Sequence, residues 1–259
     1  MSERPHSGKL GTLLLMPNTL DLGLAPGPLD EVLPQDVIRR AAGLAHWAAE
    51  DAKTARAFLK RVDAVVPLAQ PLQAIQITEL PRPRKGSREA VPAAEWQALL
   101  APALAGHDLG LISEAGLPAV ADPGAALVAA AHAAGVPVLP LSGPSSLLMA
   151  LSASGLNGQS FAFVGYLPQE PAARMARIRE LEALSRRLGQ TQLLIETPYR
   201  NAALLAALLE TLAPSTRLSV SVGLTTPGAF TRSAAVSAWR QQPSALPDRV
   251  PAVFALLAG

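Results

Sequence analysis

The stretch from 109 to 146, LGLISEAGLPAVADPGAALVAAAHAAGVPVLPLSGPSS, constrains the fold more than any other part of this chain. Twice within it a short apolar run breaks into small residues, glycine and proline, and then opens into a run of helix formers. Leu109 to Ile112 reads as a buried strand, and Ser113-Glu114-Ala115-Gly116 follows with side chains small enough to let a bound molecule reach the main chain. Asp122-Pro123-Gly124 then reads as a helix start, with Asp122 as N-cap and Pro123 in the first helical position, where its missing N–H costs nothing. Val136 to Leu141 is the next strand. Ser142-Gly143-Pro144-Ser145-Ser146 repeats the turn before a helix from Leu147 to Leu151. Strand, turn and helix given twice predict a βαβα unit in a parallel sheet, with the two turns side by side beyond the carboxyl ends of the strands. Helix N-termini in that position present free N–H groups that suit a carboxylate or phosphate. A β-branched side chain in such a cradle would block the ligand, so Gly143→Val is expected to abolish binding with the fold retained.

Around this stretch the chain alternates strand and helix patterns. Leu10 to Met16 reads as the first strand, with Pro17-Asn18-Thr19-Leu20 as its turn. Residues 21 to 34 are rich in glycine and proline and read as irregular. Gln35 to Ala45 has helical spacing, and His46 to Ala49 reads as a short strand. From Ala52 to Val62 the apolar positions Ala55, Phe58, Leu59 and Val62 recur at helical intervals, and Asp51 stands where an N-cap belongs. Ile75 to Leu80 alternates like a strand, and Glu95 to Ala105 reads as an amphipathic helix. After Gly158 the pattern continues with strand Phe161 to Val164, helix Ala172 to Arg187, strand Gln192 to Ile195 and helix Asn201 to Leu212. Strands at Arg217 to Val222, Ala229 to Ala235 and Val250 to Leu257 close the chain. Two α/β domains are predicted, residues 1–165 and 166–259, with a mostly parallel sheet in the first and a mixed sheet in the second.

Bulk properties remove several function classes. Cysteine is absent, which excludes disulfides, thiolate metal sites and a thiol nucleophile. GxGxxG, GxxxxGK[ST], HExxH and GxSxG are missing too, and His6, His46, His107 and His132 are scattered along the sequence, so no metal site is expected. The N-terminal MSERPHSGKLGTLLLMP has an apolar run too short for a signal peptide core, and no segment reads as a membrane span; a cytoplasmic protein is expected. Net charge is only +2, too little to steer the whole molecule onto nucleic acid. Cations are concentrated locally instead: Arg82, Arg84, Lys85 and Arg88 in one proline-marked loop, and Arg174, Arg177, Arg179, Arg186 and Arg187 on one helix.

SEAGLPAVADPG, then PLSGPSS, FAFVGYLP at 161 to 168 and IETPYR at 195 to 200 together resemble the tetrapyrrole methylase superfamily. Within it the chain is similar to the ribosomal RNA ribose 2′-O-methyltransferase branch, whose pattern runs SDAGTP…DPG, PGP, GFLP, YEST.R. The resemblance implies a class III methyltransferase-like fold and S-adenosylmethionine as cofactor, held in the cleft between the domains. It assigns to the cofactor Pro17, Ser113, Glu114, Ala115, Pro118, Ser145, Ser146, Glu196 and the backbone at Leu224. Glu50-Asp51 resembles the start of the family's EDTRHT segment, and these two carboxylates are candidates for taking the acceptor's proton.

Departures from the pattern bear on the acceptor. MPNTLD replaces TPIGNL, Glu114 replaces an aspartate, and VGLTT at 222 to 226 stands where the RNA-modifying branch has RELTK, which removes an Arg, a Glu and a Lys from the substrate side. Methylation of RNA ribose or a related acceptor by a homodimer is the leading expectation. Methylation of a tetrapyrrole or other small molecule stays open beside it, as does a catalytically inactive S-adenosylmethionine-binding regulator.

Overall fold

The computed structural model describes residues 9–21, 27–83 and 90–259, which fall into two compact units, 1–144 and 145–259. Arg84, Lys85 and Arg88 of the expected basic loop, and part of the expected irregular 21–34 segment, lie outside the described residues.

The first unit contains β1 (Leu13–Met16), α1 (Gln35–Gly43), β2 (His46–Ala49), α2 (Ala52–Asp63), β3 (Gln76–Glu79), α3 (Ala93–Ala98), α4 (Ala101–Leu104), β4 (Leu109–Ile112), α5 (Ala125–Ala133) and β5 (Val138–Pro140). Its strands form one all-parallel sheet in the order β3-β2-β4-β1-β5. β4 is buried at every position, as a strand covered on both faces must be. Side chains alternate between two cores. Leu14, Met16, Trp47, Ala49 and Ile112 pack with Val37 and Ile38 of α1 and Phe58 and Leu59 of α2. Leu13, Ala48, Leu109 and Leu111 pack with Leu100, Ala103 of α4 and Leu127 and Ala131 of α5. Trp47 lies against Gly110, its register partner, where a Cβ would come within 2.8 Å of the indole.

This division of faces positions the site. The connections leaving β1 and β2 run over one face, and those leaving β3 and β4 over the other, so the chain parts in opposite directions between β2 and β4 and again between β4 and β1. Such switch points open crevices at the carboxyl ends of the strands. The expected adjacency of the turns after β4 and β5 is corrected here: β1 lies between those strands, and the loop after β1 occupies the middle.

The second unit contains α6 (Ser146–Ser154), β6 (Phe161–Gly165), α7 (Pro171–Leu188), β7 (Thr191–Ile195), α8 (Asn201–Thr211), β8 (Arg217–Val222), β9 (Phe230–Ala235), α9 (Val236–Gln241) and β10 (Ala252–Leu257). Its sheet, ordered β6-β7-β10-β8-β9, is mixed: only β6 and β7 pair in parallel. α7 and α8 cover one face through Ile178, Leu181, Leu204 and Leu208, packed on Leu194, Val220 and Phe254. α6 covers the other through Leu147, Ala150 and Leu151, packed on Leu193, Val253 and Ala255.

Four local expectations change. α6 buries its apolar face on the second sheet, so the chain divides after Pro144 instead of near 165. Asp122 does not cap α5: the helix begins at Ala125 behind Gly124 at φ +129°, because Ala119 (φ +65°) and Ala121 (φ +63°) first turn the chain through left-handed conformations. The predicted 95–105 helix is split into α3 and α4, with Pro102 in the first turn of α4, where a missing N–H is harmless. α9 is an addition, a short helix docked by the fully buried Val236 and Trp239.

Candidate active site at the carboxyl edge of the first sheet

Hydrogen bonds join three strand ends. β1 ends in Pro17-Asn18, β4 in Ser113-Glu114 and β2 in Glu50-Asp51. Asn18 is the stitch between the first two. Its side-chain amide donates to the carbonyls of Ser113 (3.2 Å) and Glu114 (3.0 Å), and its own N–H donates to the carbonyl of Gly116 (2.8 Å). Sequence reasoning named Pro17 and missed Asn18, although a buried asparagine directly after a strand is a recognisable loop fastener. Arg61 of α2 clamps the same loop from the other side, donating to Thr19 Oγ1 (2.9 Å), to the buried Asp21 carboxylate (3.1 Å) and to the carbonyl of Gly27 (3.1 Å).

β2 and β4 are tied by Glu50. Its N–H donates to the carbonyl of Ile112 (3.0 Å), and its Oε2 accepts the N–H of Glu114 (3.1 Å). Arg82 donates to the Glu50 carbonyl at 2.8 Å. Asp51 caps α2, its carboxylate accepting the N–H of Thr54 at 2.7 Å, and these bonds hold its pKa below the ordinary carboxylate value. Asp51→Ala is therefore expected to destabilise the first unit by about 1 kcal/mol, read by urea unfolding at neutral pH. Because the folded-state pKa is depressed, that contribution is present above pH 4 and fades as the solution is acidified, so the gap between the two proteins should close in acid.

Asp122 completes the acidic cluster. Burial, and then the neighbouring Glu50 and Glu114 carboxylates, push its pKa up to about 7. Burial also raises Glu114, reinforced by Glu50 and Asp51 and opposed by Arg82. Among the described residues nothing donates a hydrogen bond to the Asp122 carboxylate. Glu50, Arg82, Trp96 and Asp122 line a groove of about 750 Å³ whose other walls include five alanines of α5. A half-buried carboxylate that titrates near neutrality inside a groove is suited to accept a proton.

The loop after β4 has the properties a close-fitting ligand needs. Ser113 is 3% exposed, and its hydroxyl has no hydrogen-bond partner among the described residues, which is costly unless something supplies one. Ala115 is half-buried, Pro118 is buried, and Gly116 takes φ +66°.

The second unit's expected residues gather at one edge of their own sheet, because β6, β7 and β8 run in the same direction. Ser145 precedes α6 without using its hydroxyl as a cap, and Ser146 opens that helix. Glu196 is buried, and its Oε1 already accepts from the Thr197 N–H (2.7 Å), the Thr197 hydroxyl (3.2 Å) and Arg200 (2.6 Å). Leu224 lies in a tight turn after β8, between Gly223 (φ +60°) and Thr225 (φ +66°).

Tertiary structure brings His46 and His107, far apart in the sequence, to a ring separation of 5.4 Å, yet no group of metal-binding side chains occurs among the described residues. No helix among those residues is long and apolar enough to cross a membrane.

Residues 45–236 match the family model for tetrapyrrole (corrin/porphyrin) methylases. Over 78 residues the chain is 50% identical to the ribosomal RNA small subunit methyltransferase I of Xylella fastidiosa, covering 30% of this chain and 29% of that protein. Over 170 residues it is 36% identical to the protein of the same name from Mycobacterium bovis, covering 64% of this chain and 52% of that one. The matched stretches thus span between about a third and a half of those relatives. In three dimensions the chain superposes on the methyltransferase CobJ with a TM-score of 0.55 at 17% identity, over 96% of this chain and 100% of that one, which establishes the shared fold.

Proposed function

The chain belongs to the tetrapyrrole (corrin/porphyrin) methylase family, and from that premise we propose that it transfers a methyl group from S-adenosylmethionine to a ribose hydroxyl of ribosomal RNA. The observation that carries this reading is the meeting of the loops after β1, β4 and β2, with the buried, unpartnered Ser113 hydroxyl in the loop after β4. In the first unit Pro17, Ser113, Glu114, Ala115 and Pro118 would hold the cofactor, main chain against ligand. Bound there, the cofactor supplies a methyl group on a sulfonium that already leaves readily. The protein's work is then alignment and proton removal.

The proton that the acceptor hydroxyl gives up on taking the methyl group would pass to a carboxylate of this chain. Glu50 and Asp51, the candidates from sequence, are both engaged, Glu50 in holding the Glu114 N–H and Asp51 in capping α2. Asp122 and Glu114 are the carboxylates of the cluster that no described residue bonds; with Glu114 assigned to the cofactor, Asp122, whose pKa is pushed up to about 7, is the one that would accept that proton, with Glu50 as its electrostatic neighbour. The curated relatives' names favour ribosomal RNA over a small acceptor. The same reading carries a homodimer acting in the cytoplasm, for which sedimentation measures the first part.

Incubation with methyl-labelled S-adenosylmethionine and undermethylated small-subunit RNA should place label in ribose-methylated nucleosides. Binding should weaken steeply with added salt. Label appearing only in a low-molecular-weight pool would replace this reading with small-molecule methylation. A cofactor-induced rise in melting temperature without any label transfer would leave a binding protein.

A further inference from the structure

The chain has two tyrosines, and both stand at one edge of the second sheet. Tyr166 directly follows β6, and Tyr199 lies in the short 3-10 turn Pro198–Arg200 beyond β7, the parallel neighbour of β6. They are 58% and 72% exposed, the two most exposed large hydrophobic side chains among the described residues. Aromatic rings left in water at neighbouring strand ends mark a surface that meets something.

Arg200 sits with them. Its guanidinium is fixed by the buried Glu196 carboxylate at 2.6 Å, and both phenols stand close enough to act on it electrostatically. Behind Tyr199 the platform is rigid, because the same Glu196 oxygen also takes the N–H and the hydroxyl of Thr197. Back along β6, an edge strand, Phe163 and Phe161 share one face and are 37% and 41% exposed. α7 begins five residues after Tyr166 and carries Arg174, Arg177 and Arg179 in its first half, Arg177 paired with Glu180 at 2.7 Å. Aromatic faces flanked by cations are the means by which proteins hold unpaired nucleotides: rings stack on bases of any identity, and cations follow the phosphates.

We propose that Tyr166, Tyr199 and Arg200 form a stacking platform for single-stranded RNA, with the arginines of α7 drawing in its phosphates. The inference rests on the RNA reading above and adds to it where the unpaired strand is gripped. It also accounts for how an RNA-binding member manages with VGLTT at 222–226: aromatic stacking at the ends of β6 and β7 does the work that charged side chains after β8 would otherwise do.

The test uses the full chain and a fluorescein-labelled single-stranded RNA oligonucleotide, followed by anisotropy. Tyr166→Ala and Tyr199→Ala should each weaken binding roughly tenfold, and the double variant by more, whereas Tyr166→Phe with Tyr199→Phe should stay within about twofold because the rings remain. S-adenosylmethionine affinity and melting temperature should not move in any of these variants. Wild-type RNA affinity in the double alanine variant would overturn the platform and leave the RNA reading standing. A wild-type chain that binds no RNA would overturn both. Loss of a dimer in sedimentation by the alanine variants would overturn the platform by assigning this surface to a second copy of the chain.

Discussion

Replacing Asp122 with asparagine is expected to lower kcat by about 100- to 1000-fold while S-adenosylmethionine binds as before, since general-base removal costs that much and Asn keeps the shape. The same variant should lose a feature of the wild-type pH profile. Asp122 must be ionised to accept a proton, and its pKa is about 7, so kcat/KM should rise on an acidic limb centred near neutrality. In Asp122→Asn that limb should disappear. Because Glu50 is one of the charges that raise Asp122, Glu50→Gln should move the limb to lower pH, although burial, the larger cause, remains. An Asp122→Asn enzyme with full kcat and an unchanged limb would remove Asp122 from the chemistry.

Stability should answer with the opposite sign. Folding raises the Asp122 pKa from an ordinary carboxylate value to about 7, so between pH 4 and 7 the folded chain holds a proton that the unfolded chain has shed. Stability from this group is fully present below pH 4 and is lost as pH rises through 7. Asparagine has no proton to lose, so Asp122→Asn should melt above the wild type at pH 8 and converge with it in acid. A better-folded but slower enzyme is the signature of a group kept for function at a cost in stability.

Gly143→Ala is expected to destabilise the first unit by about 2–3 kcal/mol, measured by urea unfolding, with loss of cofactor affinity following from the displaced loops. Here the geometry revises the expectation drawn from sequence, that a side chain at 143 would meet only the ligand and spare the fold. A Cβ built on Gly143 comes within 2.2 Å of Pro17 Cβ and 2.5 Å of its Cγ. The proline ring cannot swing away, because Pro17 is held between β1 and the Asn18 fastening, and β5 pairs directly with β1. Even alanine must therefore push the loops after β1 and β5 apart, and valine more so. Gly143→Ala combined with Pro17→Gly removes both contacting atoms, and the double variant should recover part of the loss as a favourable coupling in the mutant cycle. A neutral Gly143→Ala would show that these loops have slack.

Much of this was legible from residues alone. Helix and strand identities follow from periodicity that local backbone geometry enforces, which is why His46–Ala49, Leu109–Ile112 and Arg217–Val222 fall where the pattern puts them. Asp51 as a cap was likewise readable, since its bond to Thr54 spans three residues. Ser113, Glu114 and Glu50 could be placed at strand ends because loops after parallel strands are where the pattern changes. Asp122 was misread for a local reason: DPG is a good helix start by composition, and nothing in it reveals that Ala119 and Ala121 turn the chain first.

What sequence determined by itself was most of the elements, the family and the strand-end loops that carry the candidate site, because each depends on contacts between near neighbours or on motifs kept intact in one stretch. Only tertiary structure decided the strand order β3-β2-β4-β1-β5, and hence that Pro17 lies against Gly143, that Asn18 fastens the loop of Ser113, and that Glu50 and Glu114 raise Asp122. The reason is physical: packing and electrostatic coupling act through space, between Glu50 and Asp122, Asn18 and Ser113, and Pro17 and Gly143, residues far apart in the chain, and no local pattern encodes which strand ends will meet.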